Sequence, residues 1–123
     1  HMNRKNLTRN FYADEFDCKC GCHFNNINIE LVEELQKVRA EYGCSMTVSS
    51  GTRCSIWNKA CGGSDNSSHL TGLAVDIAID DSVLRHRFMR TILEMEWKRV
   101  GIAKSFIHLD IDYHKTNPVI WTY

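Results

Sequence analysis

Ser67-Ser68-His69-Leu70-Thr71-Gly72-Leu73-Ala74-Val75-Asp76-Ile77-Ala78-Ile79-Asp80 is the stretch around which the chain is organised. From Leu73 onward it alternates. Leu73, Val75, Ile77 and Ile79 fall on one side; Ala74, Asp76, Ala78 and Asp80 fall on the other. Successive side chains of a β-strand point to opposite faces, so the pattern predicts a strand with one buried face. Asp76 then projects from the second face, where Ala74 and Ala78 leave room for a bound group. His69 precedes it at H-x6-D spacing. An imidazole nitrogen and a carboxylate oxygen are two of the standard ligands of a catalytic zinc. The plain structural alternative is a polar loop leading into an edge strand.

Outward from this stretch, the chain reads as one globular unit. A length of 123 residues fits one domain, able to bury roughly two-thirds of its unfolded surface. The domain is set at residues 3–123, with His1 and Met2 taken as a cloning remnant. Lys plus Arg and Asp plus Glu balance at 15 each, which gives no electrostatic footprint for nucleic acid or an anionic membrane. The apolar runs are too short to span a bilayer, and the N-terminus lacks the apolar core of a signal peptide.

Toward the N-terminus, Leu31, Leu35, Val38 and Tyr42 recur at helical spacing with Glu33, Glu34, Lys37 and Arg39 around them. Asn28 suits the N-cap, Glu30 the positive helix end, and Gly43 a left-handed stop. Met46–Ser50 reads as a short strand. Before the helix, Phe11, Tyr12 and Phe16 predict an arm packed on the domain. Cys18, Cys20 and Cys22 follow in C-x-C-x-C spacing, and Cys44, Cys54 and Cys61 are scattered. Thiols, disulfides and a second metal all remain open for these six, because sequence cannot choose among the 15 pairings that six cysteines allow.

Toward the C-terminus, Leu84, Phe88, Ile92 and Met95 mark a second amphipathic helix, capped by Asp80, Asp81 or Ser82. His86 lies on its polar side among arginines. Strands are expected at Val100–Ala103 and Phe106–Ile111 around a Lys104-Ser105 turn, and a last one at Ile120–Tyr123. In the middle one Ile107, Leu109 and Ile111 alternate with His108, Asp110 and Asp112, so three polar groups share a face. Taken alone, a histidine on a strand is more often a satisfied polar residue than a ligand.

The motif Ser67-x-His69-x-x-Gly72-x-Ala74-x-Asp76 resembles the S-x-H-x-x-G-x-A-x-D signature of the zinc D-alanyl-D-alanine metallopeptidases. That family includes cell-wall carboxypeptidases, phage endolysin peptidases and, more distantly, the hedgehog signalling domain. Phe11 to Cys18 is similar to the family's F-x-x-x-E-F-x-C opening, and Asn58 to Gly63 to its short helix and glycine turn. Ser50-Gly51-Thr52-Arg53 resembles the S-G-x-R element, whose arginine lies beside the zinc. Phe106-Ile107-His108-Leu109-Asp110 resembles the late strand that brings the third ligand. There is one departure: Ser105 and Phe106 stand where many members carry a glutamate or a first histidine.

The resemblance implies an α+β domain, an antiparallel sheet with two main helices packed on it. It implies one Zn²⁺ per chain on His69, Asp76 and His108, with water at the fourth position. Asp110 would be the general base, through the H-x-D branch of the family. Arg53 would grip a substrate carboxylate or stabilise an oxyanion, with Ser67 beside it in substrate binding. The implied activity is hydrolysis of a peptide bond in the peptidoglycan stem peptide, as carboxypeptidase or endopeptidase. The alternative is a non-catalytic zinc-containing binding or virion structural module. A monomer is expected, with no nucleic-acid partner and no membrane insertion. It would be made in the cytoplasm and reach the wall after release, by a phage or prophage route.

Overall fold

A computed structural model describes residues 4–123; His1 and Met2, read above as a cloning remnant, lie outside the described residues, as does Asn3. The N-terminal arm forms a small hairpin of β1 (Asn6–Thr8) and β2 (Phe11–Tyr12), followed by a 3-10 turn over Ala13–Phe16. Its aromatic side chains Phe11 and Phe16 are buried in the core, as the arm's composition predicts. Helix α1 (Ile29–Tyr42) starts at Asn28, whose side chain accepts the Glu30 N–H, and stops at Gly43 with φ of 77°. Only glycine adopts that left-handed conformation at no steric cost. The short helix α2 (Ser55–Ala60) precedes the His69 loop, and α3 (Ser82–Glu94) takes Asp81 as its N-cap.

The main sheet has five strands in the order β3-β4-β6-β5-β7: β3 is Thr47–Ser50, β4 Ala74–Ala78, β5 Arg99–Ile102, β6 Phe106–Asp110 and β7 Val119–Thr122. Val75, Ile77, Ile107 and Leu109 are fully buried and join one core with Leu31, Leu35, Val38, Phe88 and Ile92 of the two long helices. Each such side chain contributes about 1.5–3 kcal/mol on burial, so the apolar face of the sheet fixes the helices. The expected α+β architecture forms. Within it, β7 departs from the all-antiparallel sheet by running parallel to β5. The reason is the β5–β6 hairpin, which sets Leu109 near the end of β6 opposite Val100 near the start of β5. A short link from that end brings the chain back to Arg99, and it can only run in the direction of β5.

The second face of the sheet carries the polar row. Ser50 pairs with Asp76, Asp76 with His108, His108 with Gly101, and Gly101 with Trp121. One transverse line across five strands therefore holds both strand-borne ligand candidates. Its apolar counterpart lies on the helices.

Candidate metal centre

Asp76 leaves β4 on the polar face, and His108 stands directly across from it on β6. His69 arrives from the loop before β4, which is held from several sides. Its carbonyl accepts the Arg53 N–H, its own N–H donates to Ser67 Oγ, and Asn26 Nδ2 donates to Leu70 O. Gly72 makes the approach possible: φ is 73°, and a Cβ there would fall 2.1 Å from the Asn26 carbonyl oxygen. The resulting cleft has a volume of about 470 Å³ and is walled by Arg53, Ser67, Phe106, Lys115, Trp121 and Tyr123 around the three candidates.

The geometry fits a metal. His69 Nδ1 lies 2.7 Å from the Gly51 carbonyl, and His108 Nε2 lies 2.7 Å from Asp110 Oδ2. Both partners are acceptors, which assigns the ring protons to those nitrogens. The remaining lone pairs, on His69 Nε2 and His108 Nδ1, then converge on Asp76 Oδ1 at 3.3 and 3.0 Å. Three acceptors this close repel one another unless a cation lies between them. A tetrahedral zinc with bonds of about 2.0–2.1 Å sets its ligand atoms about 3.3–3.4 Å apart, close to the spacing observed. Without metal, a proton between an imidazole nitrogen and the carboxylate would relieve the same repulsion. Burial works against charge on both partners, but the His108 and His69 hydrogen bonds win for Asp76 and draw it from 3.8 to about 2. Likewise Asp110 and Asp76 raise His108 above its ordinary value against its own burial.

Asp110, expected from the sequence as the general base, lies on the His108 face, and its carboxylate is held by three donors. It is fully buried, binds His108 Nε2, accepts Arg99 Nε at 2.6 Å and takes the Asp112 N–H at 3.1 Å. It approaches the ring nitrogen opposite the one that faces Asp76. A carboxylate in that position fixes the tautomer and orientation of a histidine able to bind metal through its other nitrogen. The Asp110 side chain is long enough to close on its neighbour two residues back, so the same-face step fixes the face but not the target.

Arg53 lies beside Asp76. Its Nη2 is 3.4 Å from Asp76 Oδ2, Nε donates to Ser50 Oγ and Nη1 donates to Asn58 Oδ1. Those contacts use three of five guanidinium N–H groups, which leaves two for a ligand in the cleft. Ser67 lines the cleft with its Oγ turned to the His69 backbone. Asp112 is drawn into a rim network instead: Ser68 Oγ donates to it at 2.8 Å, and Lys115 Nζ donates to Ser68 Oγ at 2.8 Å. His86, His23 and His114 are all exposed and outside the site.

Four residues of the site were not singled out from the sequence. Arg99, Asn58, Lys115 and Trp121 each bind or cover a predicted residue. Arg99 was the most legible, as a charge in the otherwise apolar run Arg99-Val100-Gly101-Ile102. Trp121 lies over Gly101, where a Cβ would come within 2.7 Å of its ring, and its ring centroid is 5.3 Å from that of His108.

A family model described as Peptidase M15 matches residues 5–110, a span that carries His69, Asp76, His108 and Arg53. No curated protein matches the chain.

Proposed function

The chain belongs to the peptidase M15 family of zinc-dependent metallopeptidases, and on that premise we propose that it hydrolyses a peptide bond of the peptidoglycan stem peptide. His69 Nε2, Asp76 Oδ1 and His108 Nδ1 would hold one Zn²⁺. The supporting observation is the convergence of two tautomer-fixed imidazole lone pairs on a buried carboxylate. When bound, the ion supplies Lewis acidity, polarising the scissile carbonyl and bringing the pKa of water toward about 7.

The protein's own groups do the rest. Asp110 keeps His108 in the ligating tautomer, and Arg99 keeps Asp110 ionised beside it. The two spare N–H groups of Arg53 face developing negative charge on the carbonyl oxygen, or a substrate carboxylate. Trp121 and Phe106 form the apolar wall against which a peptide backbone lies, and Lys115 holds the rim. A peptide-containing substrate follows from the family; the wall peptide is the proposed member of that class.

The test is hydrolysis of a defined muropeptide followed by mass spectrometry. Cleavage should stop with chelator and return with zinc, and the mass lost assigns the bond as terminal or internal. Intact muropeptides in the presence of stoichiometric zinc would overturn the assignment and leave a zinc-containing binding module.

A further inference from the structure

Cys18, Cys20, Cys22 and Cys54 bring their four sulfur atoms within 4.8 Å of one another, and no step above uses them. We propose that they form a second metal site, a structural tetrathiolate centre for zinc that clips the N-terminal arm to the segment carrying Arg53.

The spacing of the sulfurs is the first argument. Cys18 lies 3.5 Å from Cys20 and 3.7 Å from Cys54, and Cys20 lies 3.8 Å from Cys54. Three sulfurs at near-equal distances form a triangle, whereas disulfide partners would sort into close pairs. Zinc–sulfur bonds of about 2.3 Å in a tetrahedron require sulfur–sulfur edges of about 3.8 Å.

The backbone is the second argument. Residues two apart on an extended strand share a face with their Cα atoms about 6–7 Å apart, so three alternate cysteines on a straight strand would span too far for all three sulfurs to meet at one ion. Here the loop curls through Gly21 at φ of 94° and His23 at φ of 64°, and Cys18 N–H closes it on Phe24 O at 2.8 Å. A left-handed histidine costs about 1–2 kcal/mol, so something must hold the curl. Packing does not, because Cys20 through Phe24 are exposed and a Cβ on Gly21 would touch nothing within 4 Å. Thr52 Oγ1 and Cys18 N–H anchor its far end at Phe24 O, and a shared ligand would fix the exposed turn between.

Three backbone N–H groups also point at sulfur. Cys54 N donates to Cys18 Sγ at 3.4 Å, Trp57 N to Cys54 Sγ at 3.4 Å, and Phe24 N to Cys22 Sγ at 3.5 Å. Such donors stabilise thiolates, the form in which cysteine binds metal. Soft, tetrahedral sulfur sites select zinc or iron over harder ions. Cys44 and Cys61 lie outside the cluster and serve as internal references.

The experiment separates this site from the hydrolytic one. His108→Ala removes a ligand of the first, so metal analysis of that variant reads the cysteines alone. The expected result is two zinc ions per chain in the parent and one in His108→Ala, with no more than two thiols open to a thiol reagent until an organomercurial releases the ion. Cobalt loaded into His108→Ala should show sulfur-to-metal charge transfer in the near ultraviolet and strong tetrahedral bands in the red. Cys20→Ser combined with Cys22→Ser, on the exposed loop, should abolish both. Should that variant not fold, the cobalt spectrum of His108→Ala still decides. A metal-free His108→Ala with all four thiols reactive, or a disulfide among them by mass spectrometry, overturns the proposal while leaving the hydrolytic centre standing. Zinc on the cysteines with none at His69 and Asp76 in the parent would sink the hydrolytic reading instead.

Discussion

Asp110→Asn separates a base from a positioning residue. The native carboxylate serves two side-chain donors at once, His108 Nε2 at 2.7 Å and Arg99 Nε at 2.6 Å. An amide has one oxygen and one NH₂ for those two partners. With the oxygen toward His108, the NH₂ meets the Arg99 N–H groups donor to donor. With the oxygen toward Arg99, the NH₂ donates to His108 Nε2 and drives the ring proton onto Nδ1. That second tautomer has no lone pair facing Asp76. Losing such a partner typically weakens metal binding about 10- to 100-fold, or about 1.4–2.7 kcal/mol.

Leaving Arg99 uncompensated adds a folding cost toward the lower end of about 3–5 kcal/mol, because it retains the Thr116 carbonyl and Trp121. The assay is zinc competition against a chromophoric chelator, paired with turnover at limiting and at saturating zinc. The positioning role predicts weakened zinc binding and a rate within about tenfold of the parent once zinc saturates. A general base would instead cost about 10²–10⁴ in rate at every zinc concentration. Unchanged zinc affinity with that loss would refute the reasoning.

Three further outcomes are expected. Arg53→Ala should lower turnover about a hundredfold or more with zinc content intact. Arg53→Lys should recover little, since a point charge cannot replace a fork that already holds Ser50, Asn58 and Asp76; wild-type activity in either would make Arg53 a turn residue. Gly101→Ala must push Trp121 off β5, costing about 1–3 kcal/mol by overpacking and shifting tryptophan emission; an unchanged melting temperature and spectrum would contradict the contact. In the metal-free protein His108 lies above 6.5 and Asp76 falls from 3.8 to about 2. The His108 contribution to stability is therefore complete below pH 6.5 and disappears as pH rises through the raised folded value. That of Asp76 is complete above pH 3.8 and disappears as pH falls through 2. Thermal melts in chelator should thus lose stability between mildly acid and mildly alkaline pH, and a flat or rising profile would count against the proton standing in for the metal.

Most of the fold was legible because its signals are local. Period-2 alternation marked β4 and β6, and helical recurrence marked α1, with Asn28 and Gly43 at its ends, and α3, whose cap the sequence left among Asp80, Asp81 and Ser82. The parallel placement of β7 was not legible, since it follows from where β6 ends beside β5 rather than from any residue in Val119–Thr122. The same limit applies to the cysteines. Cys18, Cys20 and Cys22 are neighbours in sequence, but Cys54 joins them only because Thr52 is tied to the arm through the Phe16 and Phe24 carbonyls. Spacing cannot encode such a meeting. At Asp110 the face was legible and the contact was not, for alternation gives the direction of Cβ and leaves the last two bonds of the side chain unstated.

The transverse row explains why site and fold stand or fall together. Asp76 and His108 meet because β4 and β6 pair in one register, and a slip of one residue would turn His108 into the core and Ile107 out of it. The apolar residues Val75, Ile77, Ile107 and Leu109 penalise that slip, since each would leave the helices. Hydrophobic burial on one face thus sets the position of charge on the other, without any of those residues touching the cleft. The row also needs a gap at Gly101, because a side chain there would displace Trp121 and open the wall beside His108. Arg53 follows from the same register, at the end of the β3 segment whose Ser50 pairs with Asp76. Only His69 is free of the sheet, and it is the one ligand candidate whose position depends on a loop. The chain accordingly holds that loop by its glycine, by Asn26 and by the Arg53 backbone, so that a ligand without a strand beneath it still arrives in register.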